Sequence, residues 1–401
     1  MPARAPGRAA FGFIFATVCL DMLALGVIVP VLPALVVRLE HGDYARAASI
    51  TGVFGFAWAA MQFFFSPVQG VLSDRFGRRP VVLLSNFGLG VDYIVMAVAP
   101  SIAWLFVGRV VSGITSASFS AATAYIADVT PPEKRAARFG MLGAAFGLGF
   151  IVGPALGGFL GSVSLRLPFW VAGGLSLANA AYGLFVLPES LPKEKRSNPS
   201  FSKASPFGSL ALLYRTPNLL VLTVASFLYF LAHESLPSTF VLYTKYRYHW
   251  NERLTGISLA IVGLTSAFVA AALVGKSVKR LGERGTLLLG LASGFVGFVL
   301  FGLAPTTTLF MTAIFVDALF GLVGPAMQAL MSARVGPDAQ GQLQGALSSM
   351  RGVTGMIGPI VFTQIFARSI EATHVNVPGA PFLLAGGLVL ASLATVALKT
   401  R

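Results

Sequence analysis

Apolar stretches of about 20 residues follow one another from Phe11 to the end of the 401-residue chain, and this spacing limits what the chain can fold into. An α-helix of about 20 residues crosses the roughly 30 Å hydrocarbon core of a bilayer. Within lipid, backbone polar groups are satisfied only inside helices or closed barrels. No strand-like alternation competes with the long runs, so the sequence predicts an all-α membrane protein. The runs cover 11–35, 47–70, 80–99, 102–127, 139–161 and 167–187, then 219–243, 254–274, 286–304, 307–331, 343–367 and 381–398. That gives twelve transmembrane helices in two six-helix bundles, 1–187 and 219–401, joined by a polar segment at 188–218. The segment is rich in Pro, Ser, Lys and Glu and reads as a flexible cytoplasmic linker.

The two halves carry the same motifs. Gly70 Val71 Leu72 Ser73 Asp74 Arg75 Phe76 Gly77 Arg78 Arg79 returns in degraded form as Gly275 Lys276 Ser277 Val278 Lys279 Arg280 Leu281 Gly282 Glu283 Arg284, 205 residues later. Gly149-x-x-x-Gly153-Pro154 is answered by Gly355-x-x-Gly358-Pro359 at the same offset of 205. Two unrelated motifs sharing one offset indicate duplicated, parallel repeats.

Charge gives the orientation. Only 11% of residues are charged and 55% are hydrophobic, against about 25% charged in soluble domains. The net charge of +14 does not point to nucleic acid, because the Lys and Arg residues concentrate in alternate loops: Arg75, Arg78 and Arg79, then Lys134, Arg135 and Arg138, then Lys193, Lys195, Arg196 and Lys203, then Lys276, Lys279, Arg280 and Arg284. By the positive-inside rule these loops and both termini are cytoplasmic. Arg4 and Arg8 precede a first apolar run that is too long for a signal peptide and lacks a cleavage site, so it reads as a retained helix. Cys19 is the only cysteine, which excludes an internal disulfide and thiolate metal sites.

Charges at bilayer depth cost at least about 2.5 to 3.5 kcal/mol each and call for a function or a partner. Asp21 lies in the first span, Asp92 in the third, Arg109 in the fourth, Glu234 beside His233 in the seventh, Asp317 in the tenth and Arg351 in the eleventh. A buried carboxyl near an arginine has the adjustable proton affinity that a reversible proton carrier requires; structural ion pairing is the alternative. Asp21, Asp92, Arg109 and Glu234 are the candidates for proton coupling. His233 and Glu234 point about 100° apart on a helix and do not share one proton. Gln62 and Gln328 either face a cavity or tie helices together. In the fifth span Gly143, Gly147, Gly149, Gly153, Gly157 and Gly158 with Pro154 make a small-residue face for a close, sliding neighbour. In the basic loop, Gly70 is expected to permit close packing, Asp74 to meet a helix N-terminus, and Arg75, Arg78 and Arg79 to hold the cytoplasmic side, with Asp128 as a partner for one arginine. Such a cluster between bundles would be made in one conformation and broken in the other.

The stretch Gly70 to Pro80 resembles the signature loop of the major facilitator superfamily, Phe106 to Ile114 its fourth-helix arginine motif, and Gly149-x-x-x-Gly153-Pro154-x-x-Gly157-Gly158 the fifth-helix motif of its drug/proton antiporters. Over most of the chain the sequence is similar to bacterial tetracycline/proton antiporters, in Leu20-Asp21, Val29 to Pro33, Val91-Asp92-Tyr93, Ala124 to Asp128, Leu187 to Ser190 and Gln340 to Gly345. The resemblance implies proton-driven export of a hydrophobic or amphipathic drug, with roles for Asp21, Gln62, Asp74, Asp92 and Arg109. The chain departs from the family in its ninth helix, where Leu291 to Phe295 holds no carboxylate, and in its eighth, where Ser266 stands in place of a histidine. Glu234 and Asp317 are candidates to supply the missing charge. Residues expected to meet substrate are Gln62, Tyr93, Tyr229, His233, Glu234, Asp317 and Gln328; the expected gate is Gly70, Asp74, Arg75, Gly77, Arg78, Arg79 and Asp128. A metabolite symporter is the alternative on the same fold. Zinc-protease, nucleophile-elbow and P-loop motifs are absent, which disfavours an enzyme or an ATP-driven pump. The expected partners are a small-molecule drug, protons and lipid in a bacterial cytoplasmic membrane. The protein is expected to work as a monomer, with no cofactor or metal and with the proton gradient as its energy source.

Overall fold

The computed structural model describes residues 8–116, 118–196, 212–213, 217–371 and 376–399, and among these every regular element is helical. Residues 197–211 and 214–216 of the expected linker, and Arg4 before the first span, lie outside the described residues. Helices α1 (Arg8–Ile28) and α2 (Leu32–Leu39) make the first crossing. They part around Pro30 and Pro33, whose rings remove backbone donors and crowd the preceding carbonyls. The turn at His41 (φ 54) and Gly42 (φ 90) leads into α3 (Tyr44–Phe76), and Gly77 separates α3 from α4 (Arg78–Val98). Next come α5 (Ile102–Thr115), α6 (Ser118–Val129), α7 (Pro132–Val163) and α8 (Leu167–Val186). Arg166, just before α8, donates to the carbonyls of Ala97 at 2.7 Å and Ala99 at 2.8 Å, closing the end of α4.

In the second half α9 (Pro217–His233) and α10 (Ser235–Tyr248) form one crossing broken at Glu234. Pro237 explains the break, because its ring would collide with the His233 carbonyl in a continuous helix. Helix α11 (Glu252–Phe268) runs through a π-helical turn (Val269–Leu273) into α12 (Val274–Leu303). Gly282 has φ 70 and ψ 175 inside α12, so the chain turns there. Helix α13 (Thr307–Asp317) tightens into a 3₁₀ segment (Ala318–Leu322) before α14 (Val323–Ser332), where Pro325 denies the Gly321 carbonyl its donor. Helices α15 (Gln340–Glu371) and α16 (Ala380–Lys399) complete the described chain.

Among the described residues, ten helical segments are long and apolar enough to cross a membrane. One of them, Glu252–Leu303, turns at Gly282 and accounts for two crossings, and α5 with α6 shares the one remaining. Twelve crossings result. Bulky apolar side chains such as Phe185, Val163, Leu84 and Leu398 stand exposed, as a surface facing lipid requires.

Contacts group the chain into a first unit, 1–35, 57–205 and 252–260, and a second, 36–56, 206–251 and 261–401. In the first, α1 lies along α7 and α4 along α8, over a core that includes Phe13, Ile14, Val18, Tyr125, Ile126 and Leu142. In the second, α16 packs on α9 and α12, and Phe301, Phe310, Phe382 and Tyr243 stack at centroid distances of 4.8 to 6.5 Å. The polar tips of that cluster hold the turn between α12 and α13: Tyr243 donates to Phe301 O at 3.0 Å, Tyr248 to Ala304 O at 2.8 Å, and the Trp250 indole to Thr307 at 3.0 Å.

Candidate functional site

The first unit buries more polar groups than its packing needs. Asp21 from α1, Asp92 from α4 and Arg109 from α5 are 5%, 1% and 7% exposed. The guanidinium of Arg109 lies 3.8 Å from Asp92 and also donates to the Met96 sulfur at 3.5 Å. Asp92 sits against Gly108: a methyl there would meet its Oδ1 at 2.7 Å and Met96 at 2.6 Å, so glycine is what lets the carboxylate reach this depth. Neither Asp92 oxygen has a hydrogen-bond donor among the described residues, and attraction to Arg109 is its compensation.

Asp21 is held differently. In the amide orientation that satisfies both of its ends, Asn86 donates to the Asp21 oxygens at 3.1 and 3.3 Å and accepts from Asn179 at 3.0 Å. Thr17 in turn donates to Asn179 at 3.1 Å. The relay runs from Thr17 of α1 through Asn179 of α8 and Asn86 of α4 back to Asp21 of α1. Tyr93, the neighbour of Asp92 on α4, is buried as well. Asp92 thus faces the Arg109 guanidinium while Asp21 is held by amide donors, and a proton on either carboxyl removes one negative charge from the buried interior of the unit. Asn86, Asn179 and Thr17 belong to no motif and carry no charge; their one signal in the sequence is uncharged polarity inside apolar spans.

Gln62 donates to Ser116 at 3.0 Å, tying α3 to the end of α5. One turn or two further along the same seam Gln69 bonds the Ile114 carbonyl.

The basic loop forms a tight knot within the first unit. Arg78 contacts Asp74 at 2.5 Å, Asp128 at 3.1 Å and Ser73 at 3.1 Å. Its backbone N–H, with those of Ser190 and Leu191, donates to one oxygen of Glu189 at 2.8 to 3.0 Å. Arg79 donates to Leu184 O at 2.6 Å, and Arg75 stacks on Phe76 at 5.1 Å. One expectation is corrected here. Gly70 makes no close approach, since a methyl in its place would meet nothing within 4 Å; Gly77, at φ 107 and crowded by Glu189, is the glycine the loop requires. Asp74 meets the side chain of Arg78, the first residue of α4. The knot joins Asp74, Arg78, Asp128 and Glu189, all members of the first unit.

On α7, Gly149 and Gly153 lie on Met22 and Gly26 of α1, and Gly157 lies on the Val27 carbonyl. Gly158 faces Gly256 of α11, which also touches the Pro154 carbonyl. Gly143 and Gly147 meet nothing within 4 Å, so the seam is confined to the second half of α7.

In the second unit Tyr229 meets Phe320 edge-on at 4.9 Å, and His233 stacks on the same ring at 6.3 Å. Arg351 covers Phe230 at 4.8 Å. Glu234, at the α9–α10 break, packs against Gly358 of α15, where even a methyl would strike its Cβ. Asp317 closes α13, with its Oδ1 buried and lacking a hydrogen-bond partner among the described residues. Gln328 is exposed on α14. In the expected ninth span, Ser293 donates to Val316 O at 2.5 Å.

Comparison with known proteins converges on one family. The Major Facilitator Superfamily profile matches residues 14–359. The chain is 38% identical over 356 residues to the tetracycline resistance protein, class C, of Escherichia coli, covering 89% of each. It is 35% identical over 355 residues to the class B protein of the same organism, covering 88% of this chain and 87% of the other. In fold it matches the nucleoside transporter NupG with a TM-score of 0.79 at 14% identity, covering 98% of this chain and 99% of the other. With its helical crossings, duplicated loop motif and buried charges, the chain belongs to the Major Facilitator Superfamily, as a multi-pass membrane transporter related to the tetracycline resistance proteins.

Proposed function

We propose that this protein exports a hydrophobic or amphipathic drug from a bacterial cytoplasm in exchange for protons, by alternating access between its two six-helix bundles. The observation that carries the reading is that Asp21, Asp92 and Arg109 are all buried in the first unit, with Arg109 3.8 Å from Asp92 and the Asn86 amide aimed at Asp21. Proton arrival removes charge from the cluster and proton loss restores it, so protonation changes how the first unit tolerates its own interior. Drug and proton then bias the same two-state equilibrium in opposite senses, which is the requirement for exchange.

Tetracycline-like compounds are the first substrates to test, since the relatives are named for resistance to them. No cofactor or metal takes part, and the proton gradient supplies the energy. The protein acts as a monomer with both termini on the cytoplasmic side, a placement supported by the Lys and Arg bias of the alternate loops.

The decisive measurement is a susceptibility panel in an efflux-deficient bacterial host, comparing the intact chain with Asp21→Asn. Resistance to at least one drug, lost in the variant at equal membrane abundance, is the expected result. An intact chain that is present in the membrane yet changes susceptibility to no compound overturns the reading.

A further inference from the structure

Asp317 occupies an unusual place in the second unit. It is the last residue of α13, where the helix stops being α-helical and tightens into the 3₁₀ segment Ala318–Leu322. Mid-span 3₁₀ turns and π-bulges recur at hinges and functional sites, and here the two face each other, since a methyl on Gly321 of the 3₁₀ segment would lie 3.7 Å from the Val269 side chain of the π turn. The carboxyl reaches inward only because α12 presents Gly297, where a methyl would meet its Cβ at 2.7 Å and its Oδ1 at 3.0 Å. That Oδ1 is buried and has no hydrogen-bond partner among the described residues.

The surroundings say what could occupy it. From α9 come Tyr229 and His233, which contact Phe320 one turn beyond Asp317. From α15 comes Arg351, which lies over the Phe230 ring at 4.8 Å. From α12 and the π turn come Ser293, Gly297, Phe298 and Val269, none of them charged. A metal ion needs several oxygen or nitrogen ligands in one place, and among the described residues no three His, Cys, Asp or Glu side chains gather to provide them. A proton needs a single oxygen and removes the cost of an undonated anion at bilayer depth.

We propose that Asp317 is a second proton-binding site of this transporter, lodged at the break in its tenth crossing and separate from the Asp21, Asp92 and Arg109 group. The proposal rests on the reading of the chain as a proton-coupled exporter. The carboxyl takes a proton on Oδ1, forming one O–H bond, and releases it unchanged when the 3₁₀ segment and the π turn shift against each other.

The test uses the full chain reconstituted in lipid vesicles, with no drug present. Infrared difference spectra between acid and alkaline pH record the C=O stretch of protonated carboxyls. Asp317→Asn is expected to delete one component of that band, Asp317→Glu to keep it at a displaced frequency, and Asp21→Asn to delete a different component. Thermal unfolding of each variant identifies any that misfold, in which case Asp317→Glu alone decides by whether the band moves. A carboxyl band unaltered by either Asp317 substitution overturns the site. Loss of the Asp317 component on adding sodium at constant pH assigns a cation in place of the proton and also overturns it. A wild-type chain that shows the Asp317 component but drives no drug export under a pH gradient leaves the site standing and removes the exporter reading.

Discussion

The backbone N–H of Arg78 donates to the Glu189 carboxylate at 2.8 Å, fastening the basic loop between α3 and α4 to the chain leaving α8. The same oxygen receives the N–H groups of Ser190 and Leu191, and the other lies 3.8 Å from Arg196. Glu189 therefore sets the position of the loop and of the chain that leads into the linker. Hydrogen bonds to a charged acceptor are worth about 1.5–3 kcal/mol each, so Glu189→Ala should weaken the clasped state by roughly one such bond after water replaces the others. The expected result is a several-fold fall in turnover with drug affinity unchanged, measured by transport into inverted vesicles alongside equilibrium binding. Equal losses in binding and turnover would place Glu189 in the substrate path.

The Arg109 and Asp92 pair makes a sharper prediction. Both side chains are buried, and removing one partner of a buried pair costs about 3–5 kcal/mol because the other charge is stranded. Arg109→Ala should lower the melting temperature of the purified protein markedly, and adding Asp92→Asn should recover part of that loss without restoring transport. A double variant no more stable than Arg109→Ala would show that the pair does not hold the unit together.

Helices and buried charges were legible in the sequence, because a run of about 20 apolar residues fits a bilayer crossing and an ionised group within it stands out at once. The partners of those charges were not. Asp74 and Arg78 are only four residues apart, but they lie on either side of the turn at Gly77, and the Asn86 and Asn179 relay joins residues of α4 and α8 that only tertiary packing brings together. Gly70 and Gly77 were indistinguishable as letters; the positive φ of Gly77 belongs to a turn whose path depends on Glu189, more than a hundred residues away. The break at Glu234 followed from Pro237 three residues later, and the 3₁₀ segment at Gly321 has Pro325 four residues later, a signal present in the sequence that span hydropathy averages out.

The glycines of α7 divide into two classes that substitution should separate. Gly157 and Gly158 touch backbone, on Val27 and Gly256 respectively, and a side chain at either has nowhere to go. Gly143 faces open space, where alanine removes the flexibility cost of about 0.5–1 kcal/mol that glycine brings to a helix. Gly157→Val should abolish transport and reduce membrane yield, while Gly143→Ala should leave transport intact and raise thermal stability slightly. Similar effects from both would mean that the face matters by composition and not by contact.

Glu234 is the second unit's candidate for choosing among substrates. It stands at the break between α9 and α10, half-buried, with its Cβ pressed on Gly358 and therefore with little freedom to swing away. Beside it, His233 and Tyr229 share the Phe320 ring, which gives the neighbourhood an aromatic surface suited to flat, amphipathic molecules. A carboxylate in such a low-dielectric setting attracts a cation far more than it does in water, whereas an amide of the same shape does not. Glu234→Gln should therefore lower the transport of cationic drugs about tenfold, equivalent to ~1.4 kcal/mol, and leave neutral drugs within about twofold, corresponding to less than ~0.5 kcal/mol. The comparison is made in vesicles under one fixed pH gradient, using a cationic dye and a neutral antibiotic that the intact chain exports. Equal loss for both classes would assign Glu234 to proton movement or to the helix break itself, and no loss for either would place it outside the path of substrate and proton alike.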